Sequence, residues 1–163
     1  MGASTGSPGR TAVRREGFDP TATYAIVDGV AATTVPGGDA FWAALGRGEV
    51  PAGAEAVEGG WLVAAFPVTD TWDLWEVHPQ GDELVFLLAG AVDLVLDLPD
   101  GPAVVGLTAG RAVVVPAGAW HTVLVRTPGM ALHVTYGAGT DHRPLADHPI
   151  RVADVMGDVV ADA

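Results

Sequence analysis

From Trp61 to Tyr136 the sequence is a series of short apolar segments, each followed by a turn rich in glycine, proline or aspartate. Segments of this length, rich in valine and other β-formers, are typical of strands, and the turns between them fix where each strand ends. We predict strands at residues 61–68, 71–78, 83–89, 91–98, 103–107, 112–115, 121–126 and 131–136. About eight short strands at this spacing predict an all-β fold, an antiparallel sandwich or barrel.

The rest of the chain adds little to this β region. Residues 1–20 contain too little apolar surface to stay ordered, so we expect a flexible N-terminal tail. Residues 24–30 are predicted to form a first strand, and residues 40–45 one short helix with an apolar stripe. Residues 147–163 could form a strand or a short helix. At this length, residues 21–163 are expected to form a single domain whose barrel core covers about residues 60–140.

Composition limits the partners and the cofactors. The chain has 20 acidic residues against 8 basic ones, all of them arginine, and a net charge of −12. Nucleic acids and anionic membrane surfaces attract basic proteins, so we expect neither as a partner. Because there is no cysteine, a bound metal would need histidine, aspartate or glutamate ligands. No stretch has the pattern of a secretion signal or a membrane span, which favours a cytoplasmic protein.

One polar group interrupts the β region near its centre. Glu76 and His78 alternate along a predicted strand and therefore point to the same face. A tight turn at residues 79–82 then brings Glu83 back beside them at the start of the next strand. Carboxylates and an imidazole in this arrangement suit a divalent metal or an acid/base pair.

A second informative stretch covers residues 110–121. A glycine turn at Gly110 leads into a β-branched strand, Pro116 and Gly118 make a tight turn, and His121 begins the next strand. A turn of this kind places His121 at the end of a strand, where it could face the Glu76, His78 and Glu83 group.

Together these two stretches resemble the two motifs of the cupin family. In the first motif, a histidine is followed after four residues by glutamate and after six more by glycine, which His78, Glu83 and Gly90 match. In the second, Gly110, Pro116, Gly118 and His121 match in order and spacing. The resemblance implies an antiparallel jelly-roll barrel with the metal ligands inside it, often in a homodimer.

Two departures from the family pattern bear on the chemistry. Glu76 stands where the family has its first histidine, and Val125 stands where the second motif ends in asparagine. Position by position, the resemblance implies a metal site of Glu76, His78, Glu83 and His121. Two carboxylates and two imidazoles suit Mn, Fe(II), Ni or Zn. Two buried carboxylates would repel each other unless a cation lay between them or one were protonated, which independently favours a metal.

The remaining assignments concern the pocket and the chemistry. Glu76 could be a ligand, a partner that orients His78, or a general base. We expect the substrate pocket to be lined by a largely apolar set of residues: Trp72, Val85, Leu87, Val123 and His133. Trp72 could instead pack in the core, and His133 could be an ordinary structural or solvent-facing histidine.

Two functions remain compatible with these residues. One is a metal-dependent enzyme acting on a small organic molecule, with the ion as Lewis acid in isomerase, lyase or cyclase chemistry, or as Fe(II) in a dioxygenase. The other is a non-catalytic cupin that binds a small molecule or a metal. A third interpretation is a degenerate cupin that lost its metal when Glu76 replaced the first histidine. Because the chain has no lysine and few arginines, a compact and partly apolar substrate is favoured over a sugar phosphate.

Overall fold

The computed structural model of the protein describes residues 16–161. About half of these residues are in strands and few are in helices, as expected for the predicted all-β fold. The nine strands are β1 Thr23–Asp28, β2 Ala31–Pro36, β3 Trp61–Val68, β4 Leu74–Val77, β5 Glu83–Leu98, β6 Gly101–Thr108, β7 Arg111–Val115, β8 Trp120–Thr135 and β9 Asp141–Pro144. Two α-helices accompany them, α1 Asp39–Gly46 and α2 Val152–Ala161, with short 3-10 turns at Glu55–Glu58 and Leu145–Asp147.

All strand pairs in the described residues are antiparallel, and the sheet curls into a jelly-roll barrel. One path through the sheet has the order β2-β1-β3-β8-β4-β9, while β5 pairs with β6, β7 and β8. The fold class predicted from the sequence is therefore confirmed. The short N-terminal helix is present as α1, and the C-terminal residues form a helix, α2, rather than a strand.

The main difference from the predicted strands is that two pairs of them are continuous. The predicted strands 83–89 and 91–98 form the single strand β5, and 121–126 and 131–136 form the single strand β8. Glycine and proline at these positions suggested turns, but the ladder between β5 and β8 accommodates them as bulges around Ala89 and Ala91.

The ribbon formed by β5 and β8 is folded back on itself. Residues 121 and 135 would lie about 45 Å apart along a straight strand, at about 3.3 Å per residue. Yet the side chains of His121 and Thr135 both approach the carboxylate of Glu83. The ribbon bends back at Gly90 and Gly129. A Cβ on Gly90 would lie 2.5 Å from the carbonyl oxygen of Thr127, and a Cβ on Gly129 would collide with the carbonyl of Ala89. Two glycines thus let the backbones meet closely enough for the barrel to close.

Two apolar clusters fill the interior. The first lies within the barrel, and its buried members come mainly from β5 and β8: Val68, Val85, Leu87, Val92, Leu94, Leu96, Leu107, Val115, Ala119, Val123 and Ala131. The second joins the N-terminal hairpin and α1 to β3, through Tyr24, Ile26, Val35, Phe41, Ala54, Leu62 and Ala64. Val125, at the position of the family asparagine, is partly buried against the first cluster.

Both ends of the chain add strands that the sequence did not predict. The predicted strand 24–30 is the first arm of a hairpin, β1 and β2, because the chain turns at Gly29, whose φ is +58°. The predicted strand 71–78 is reduced to Leu74–Val77, and it pairs with β9 on one side and with β8 on the other.

The predicted N-terminal tail falls largely outside the described residues. Within them, residues 16–19 are exposed, and the carbonyl of Pro20 already accepts a 3.0 Å hydrogen bond from Ala65 N in β3. In the part of the chain that the structure covers, neither helix is long and apolar enough to cross a membrane.

The close approach of the two backbones at Gly90 can be tested by substitution. We expect Gly90→Ala to lower the free energy of unfolding by about 2 kcal/mol or more, because alanine combines an unfavourable φ of +88° with a collision with the Thr127 carbonyl. Gly110→Ala is the control, since its φ is +83° but no atom lies within 4 Å of the added Cβ, and about 1 kcal/mol is expected. Urea denaturation measures both, and equal losses would show that the close approach at Gly90 has no energetic importance.

Candidate metal centre

Glu76 is positioned by three neighbouring strands. It lies in β4, where its backbone is directly opposite His121 of β8 on one side and His142 of β9 on the other. Cross-strand neighbours of this kind have Cβ atoms about 5 Å apart, so their side chains can meet above the same face. The register of the sheet therefore places one carboxylate between two imidazoles.

The turns of the two sequence motifs are held together by backbone contacts. The amide of Gly118 donates a 3.0 Å hydrogen bond to the carbonyl of His78. The amide of Ala117 donates a 2.9 Å hydrogen bond to Oδ1 of Asp82. These bonds place His78 and His121 on adjacent chain segments at the same end of the barrel.

Four side chains converge at this point. The Nε2 atom of His121 is 3.2 Å from Oε2 of Glu83 and 3.7 Å from Oε2 of Glu76. The Nε2 atom of His78 is 3.6 Å from Oε1 of Glu83 and 3.8 Å from Oε2 of Glu76. Ligand atoms of Glu76, His78 and His121 all lie within 4.8 Å of one another, a separation that a single ion could bridge.

Hydrogen bonds fix the tautomers of both histidines. Thr140 donates its hydroxyl proton to the carbonyl of Gly137 at 2.8 Å, so its oxygen accepts from Nδ1 of His78, also at 2.8 Å. In His121, Nδ1 faces the carbonyl of Ala119 at 3.3 Å and can only donate to it. In each neutral ring the proton is therefore on Nδ1, and the lone pair of Nε2 is directed at the centre.

The two carboxylates are also held from outside the centre. Oε1 of Glu83 accepts hydrogen bonds from the hydroxyl of Thr135 at 2.7 Å and from Nδ1 of His133 at 3.1 Å. Oε1 of Glu76 is 2.9 Å from Nε2 of His142, and the His142 side chain is 54% exposed. Glu76 thus keeps its Oε2 atom directed at both histidines, and Glu83 keeps its Oε2 atom directed at His121.

The electrostatics favour positive charge at the centre. Burial alone would raise the pKa of Glu83, but His121, His133 and His78 outweigh it and hold that pKa well below its ordinary value. Burial opposes a charged His121, yet Glu83 and then Glu76 raise the pKa of its imidazole. Two carboxylates packed against two imidazoles need a compensating cation, whether a proton or a metal ion.

Buried polar atoms without hydrogen-bond partners indicate whether a metal ion would fit at this centre. Among the described residues, four buried side-chain polar atoms lack a hydrogen-bond partner, and three of them are Nε2 of His78, Oε2 of Glu83 and Nε2 of His121. Unpartnered buried polar atoms are costly, and here they face a common point with lone pairs available. The donor set therefore fits a divalent ion.

A cavity of about 1180 Å³ opens from this centre to the surface. Of the five residues predicted to line the substrate pocket, Trp72 and His133 contact this cavity. Val85, Leu87 and Val123 instead lie in the barrel core beneath it, around a void of about 10 Å³. Their side chains point into the barrel as predicted, but the close packing of the core leaves no room for a ligand there.

The sequence did not identify three residues that complete the centre. Thr135 lies in the predicted strand 131–136, where only His133 was considered for the pocket, and Thr140 and His142 lie in an irregular polar stretch after both motifs. Only the pairing of β9 with β4 brings His142 to Glu76. No local pattern signals that pairing, since β9 is four residues long and mostly exposed.

Comparisons with known proteins were made for the sequence and for the fold. A search of the curated proteins gives no match. Among solved structures, a cupin-2 domain protein from Shewanella frigidimarina matches at 19% identity and a TM-score of 0.40, covering 46% of this chain and 69% of the other. Hydroquinone 1,2-dioxygenase from Sphingomonas sp. TTNP3 matches at 16% and 0.40, covering 46% and 59%.

A third match is hydroxypropylphosphonic acid epoxidase from S. wedmorenis, at 18% identity and a TM-score of 0.39, covering 50% of this chain and 46% of the other. The chain thus spans about half to two thirds of the length of these proteins. The family model described as "Cupin domain" matches residues 63–136, from β3 to just beyond the end of β8. That span contains both sequence motifs and the curled antiparallel barrel, and residues 63–136 are therefore a cupin domain.

Proposed function

We propose that this protein is a metal-dependent cupin that acts on a small organic molecule, with one divalent ion held by Glu76, His78, Glu83 and His121. The observation that carries the proposal is the convergence of three buried, unpartnered ligand atoms on one point. Two imidazole nitrogens and two carboxylate oxygens form a site compatible with Mn, Fe(II), Ni or Zn.

When bound, such an ion would act as a Lewis acid toward an oxygen of the substrate, and Fe(II) would in addition support dioxygenase chemistry. The chain's own residues would provide orientation and proton transfer. His133 and Thr135 hold Glu83 in place.

Glu76 is the proposed catalytic residue because its two oxygens have different surroundings. Oε2 faces the histidines, while Oε1 is bonded to His142. A proton that the Glu76 carboxylate takes from a bound molecule would pass from Oε1 to Nε2 of a neutral His142 protonated on Nδ1, and Nδ1 of that solvent-exposed ring would release its own proton to water. A non-catalytic binding module would need no such route, so the Glu76–His142 pair favours an enzyme over the binding-module alternative.

Metal content tests the proposal directly. We expect protein purified without chelator to contain or take up about one equivalent of a divalent transition metal. Adding the metal at about 100 times its Kd should raise the free energy of unfolding by about 2.7 kcal/mol. Elemental analysis and denaturation measure these, and less than about a tenth of an equivalent with no uptake on titration would refute the metal site.

Replacement of one ligand separates this site from adventitious binding. His121→Ala should abolish stoichiometric metal binding, because it removes an imidazole directed at the centre. Glu55→Gln, an exposed carboxylate outside the cavity, is the control and should bind metal as the unaltered protein does. Stoichiometric binding retained by His121→Ala would show that the ligand assignment is wrong.

The hydrogen bond between Thr140 and His78 gives a further prediction. Thr140→Val removes the hydroxyl that accepts from Nδ1 of His78 while preserving the volume of the side chain. We expect metal affinity to fall about 10- to 100-fold, as is usual when a bond that orients a ligand is lost. Thr140→Ser keeps the hydroxyl and should bind nearly normally. If the valine and serine variants have equal affinities, the orientation of His78 does not depend on this bond.

We also propose that the protein is a homodimer. Phe86, Leu88 and Val114 are 38%, 52% and 54% exposed on the outer face of β5 and β7, and among the described residues β7 pairs only with β5. An uncharged apolar face is the part of an acidic chain where two copies can meet without repulsion.

A charge placed on this face should separate the copies. We expect Leu88→Asp to convert a dimer into a monomer in light scattering after size-exclusion chromatography, because the carboxylate would be buried at the interface. Val30→Asp is the control, since Val30 is fully exposed in the turn between β1 and β2. A monomeric unaltered protein at micromolar concentration would refute the dimer.

A further inference from the structure

The large cavity extends well beyond the metal centre. One part of its wall is apolar and comes from α1, the following loop and β3: Trp42, Leu45, Val50, Val57, Leu62 and Phe66. The rings of Trp42 and Phe66 are 5.5 Å apart, and the indole N–H of Trp42 is bonded to the Tyr24 hydroxyl at 3.0 Å. We call this part the apolar lobe. Its aromatic side chains are fixed in place, so it offers a preformed surface for a ring or an alkyl chain.

The polar part of the cavity wall is acidic. Among residues 16–161, five carboxylates contact the cavity and no arginine does. Glu49 is neutralised by Arg47, whose Nη2 lies 2.7 Å from its Oε2. Asp70 and Asp73 lie together at the cavity mouth on either side of Trp72, and neither has an ion-pair partner among the described residues.

The metal centre would not offset this negative charge. The charges of Glu76 and Glu83 sum to −2, which a divalent ion cancels. A loaded centre is therefore formally uncharged when the imidazoles of His78 and His121, and those of His133 and His142 that contact its carboxylates, are neutral. Its charge does not attract an anion, and the two mouth carboxylates repel one.

From the apolar lobe and the acidic mouth together, and resting on the proposed function, we infer the substrate class of this site. The substrate carries a ring or alkyl body that occupies the apolar lobe, and its polar end is uncharged or cationic, as in an alcohol or an amine. Carboxylates and phosphates bind worst. Affinity therefore rises in the order anion, neutral molecule, cation for ligands of one size.

Three probes of matched size test this order: 4-phenylbutylamine, 4-phenylbutan-1-ol and 4-phenylbutanoate. Their binding is measured on the full chain, with and without zinc, by calorimetry and by quenching of the fluorescence of Trp42 and Trp72, which line the cavity. We expect the carboxylate to bind at least about tenfold more weakly than the amine, with the alcohol between them.

Variants locate the effect in the cavity. Asp70→Asn combined with Asp73→Asn should reduce the preference for the amine over the carboxylate by about fivefold or more. Asp28→Asn combined with Asp100→Asn makes the same change in net charge at exposed positions outside the cavity, and should leave the preference unaltered. Val50→Asn should weaken all three probes alike, whereas Val30→Asn, away from the cavity, should weaken none.

The outcomes separate this inference from the metal proposal. Binding in the expected order by a protein that takes up no metal would refute the metal site and support the substrate class. Stoichiometric zinc together with a carboxylate that binds as tightly as the amine would overturn the substrate class alone. Absence of saturable binding by all three probes would also overturn it.

Discussion

The structure depends on how the negative charges of two neighbouring carboxylates, the buried Glu83 and the partly buried Glu76, are compensated. Glu83 is almost completely buried, and Glu76 faces it across the two imidazoles. The hydrogen bonds of the two histidines favour a cation at the centre. Thr140 and the Ala119 carbonyl accept from the Nδ1 atoms, so both Nε2 lone pairs are directed inward, where a cation can bind them. Because the pKa of Glu83 is lowered and that of His121 is raised, a proton can provide part of this charge. The proposed divalent ion would provide it more completely, since it could bind all four side chains.

The C-terminal segment supports this arrangement from outside the barrel. The ring of His148 stacks on Trp75 at 4.1 Å between centroids, and the guanidinium of Arg143 lies 4.4 Å above the ring of Trp120. Trp75 and Trp120 directly precede Glu76 and His121 in sequence. Residues outside the matched cupin domain therefore fix the outer faces of the two strands whose inner faces carry the centre.

The sequence was sufficient to predict the fold and to select four side chains that lie close together in the structure, for identifiable reasons. Strand periodicity and turn residues are local signals. The spacing of His78, Glu83 and His121 matches the family motifs and can be read directly from the sequence. The errors arose where pairing between distant segments decides the outcome. Gly90 was interpreted as the end of a strand, although pairing with β8 carries β5 through it. The contact of His142 with Glu76 depends on β9 adding to the sheet edge, and the core packing that closes off Val85 and Leu87 depends on side chains from five strands.

The folded ribbon of β5 and β8 has a consequence for the unfolding of a chain that has no cysteine. Glu83 lies at the N-terminal end of β5 and His121 lies at the N-terminal end of β8, yet these two side chains are in contact. The proposed ion, held between them, would close a loop of residues 83–121 and so restrict the unfolded chain in the way that a disulfide does elsewhere. Opening the ribbon at Gly90 and releasing that ion would then be one cooperative event, because neither strand end could move away while both side chains remained coordinated.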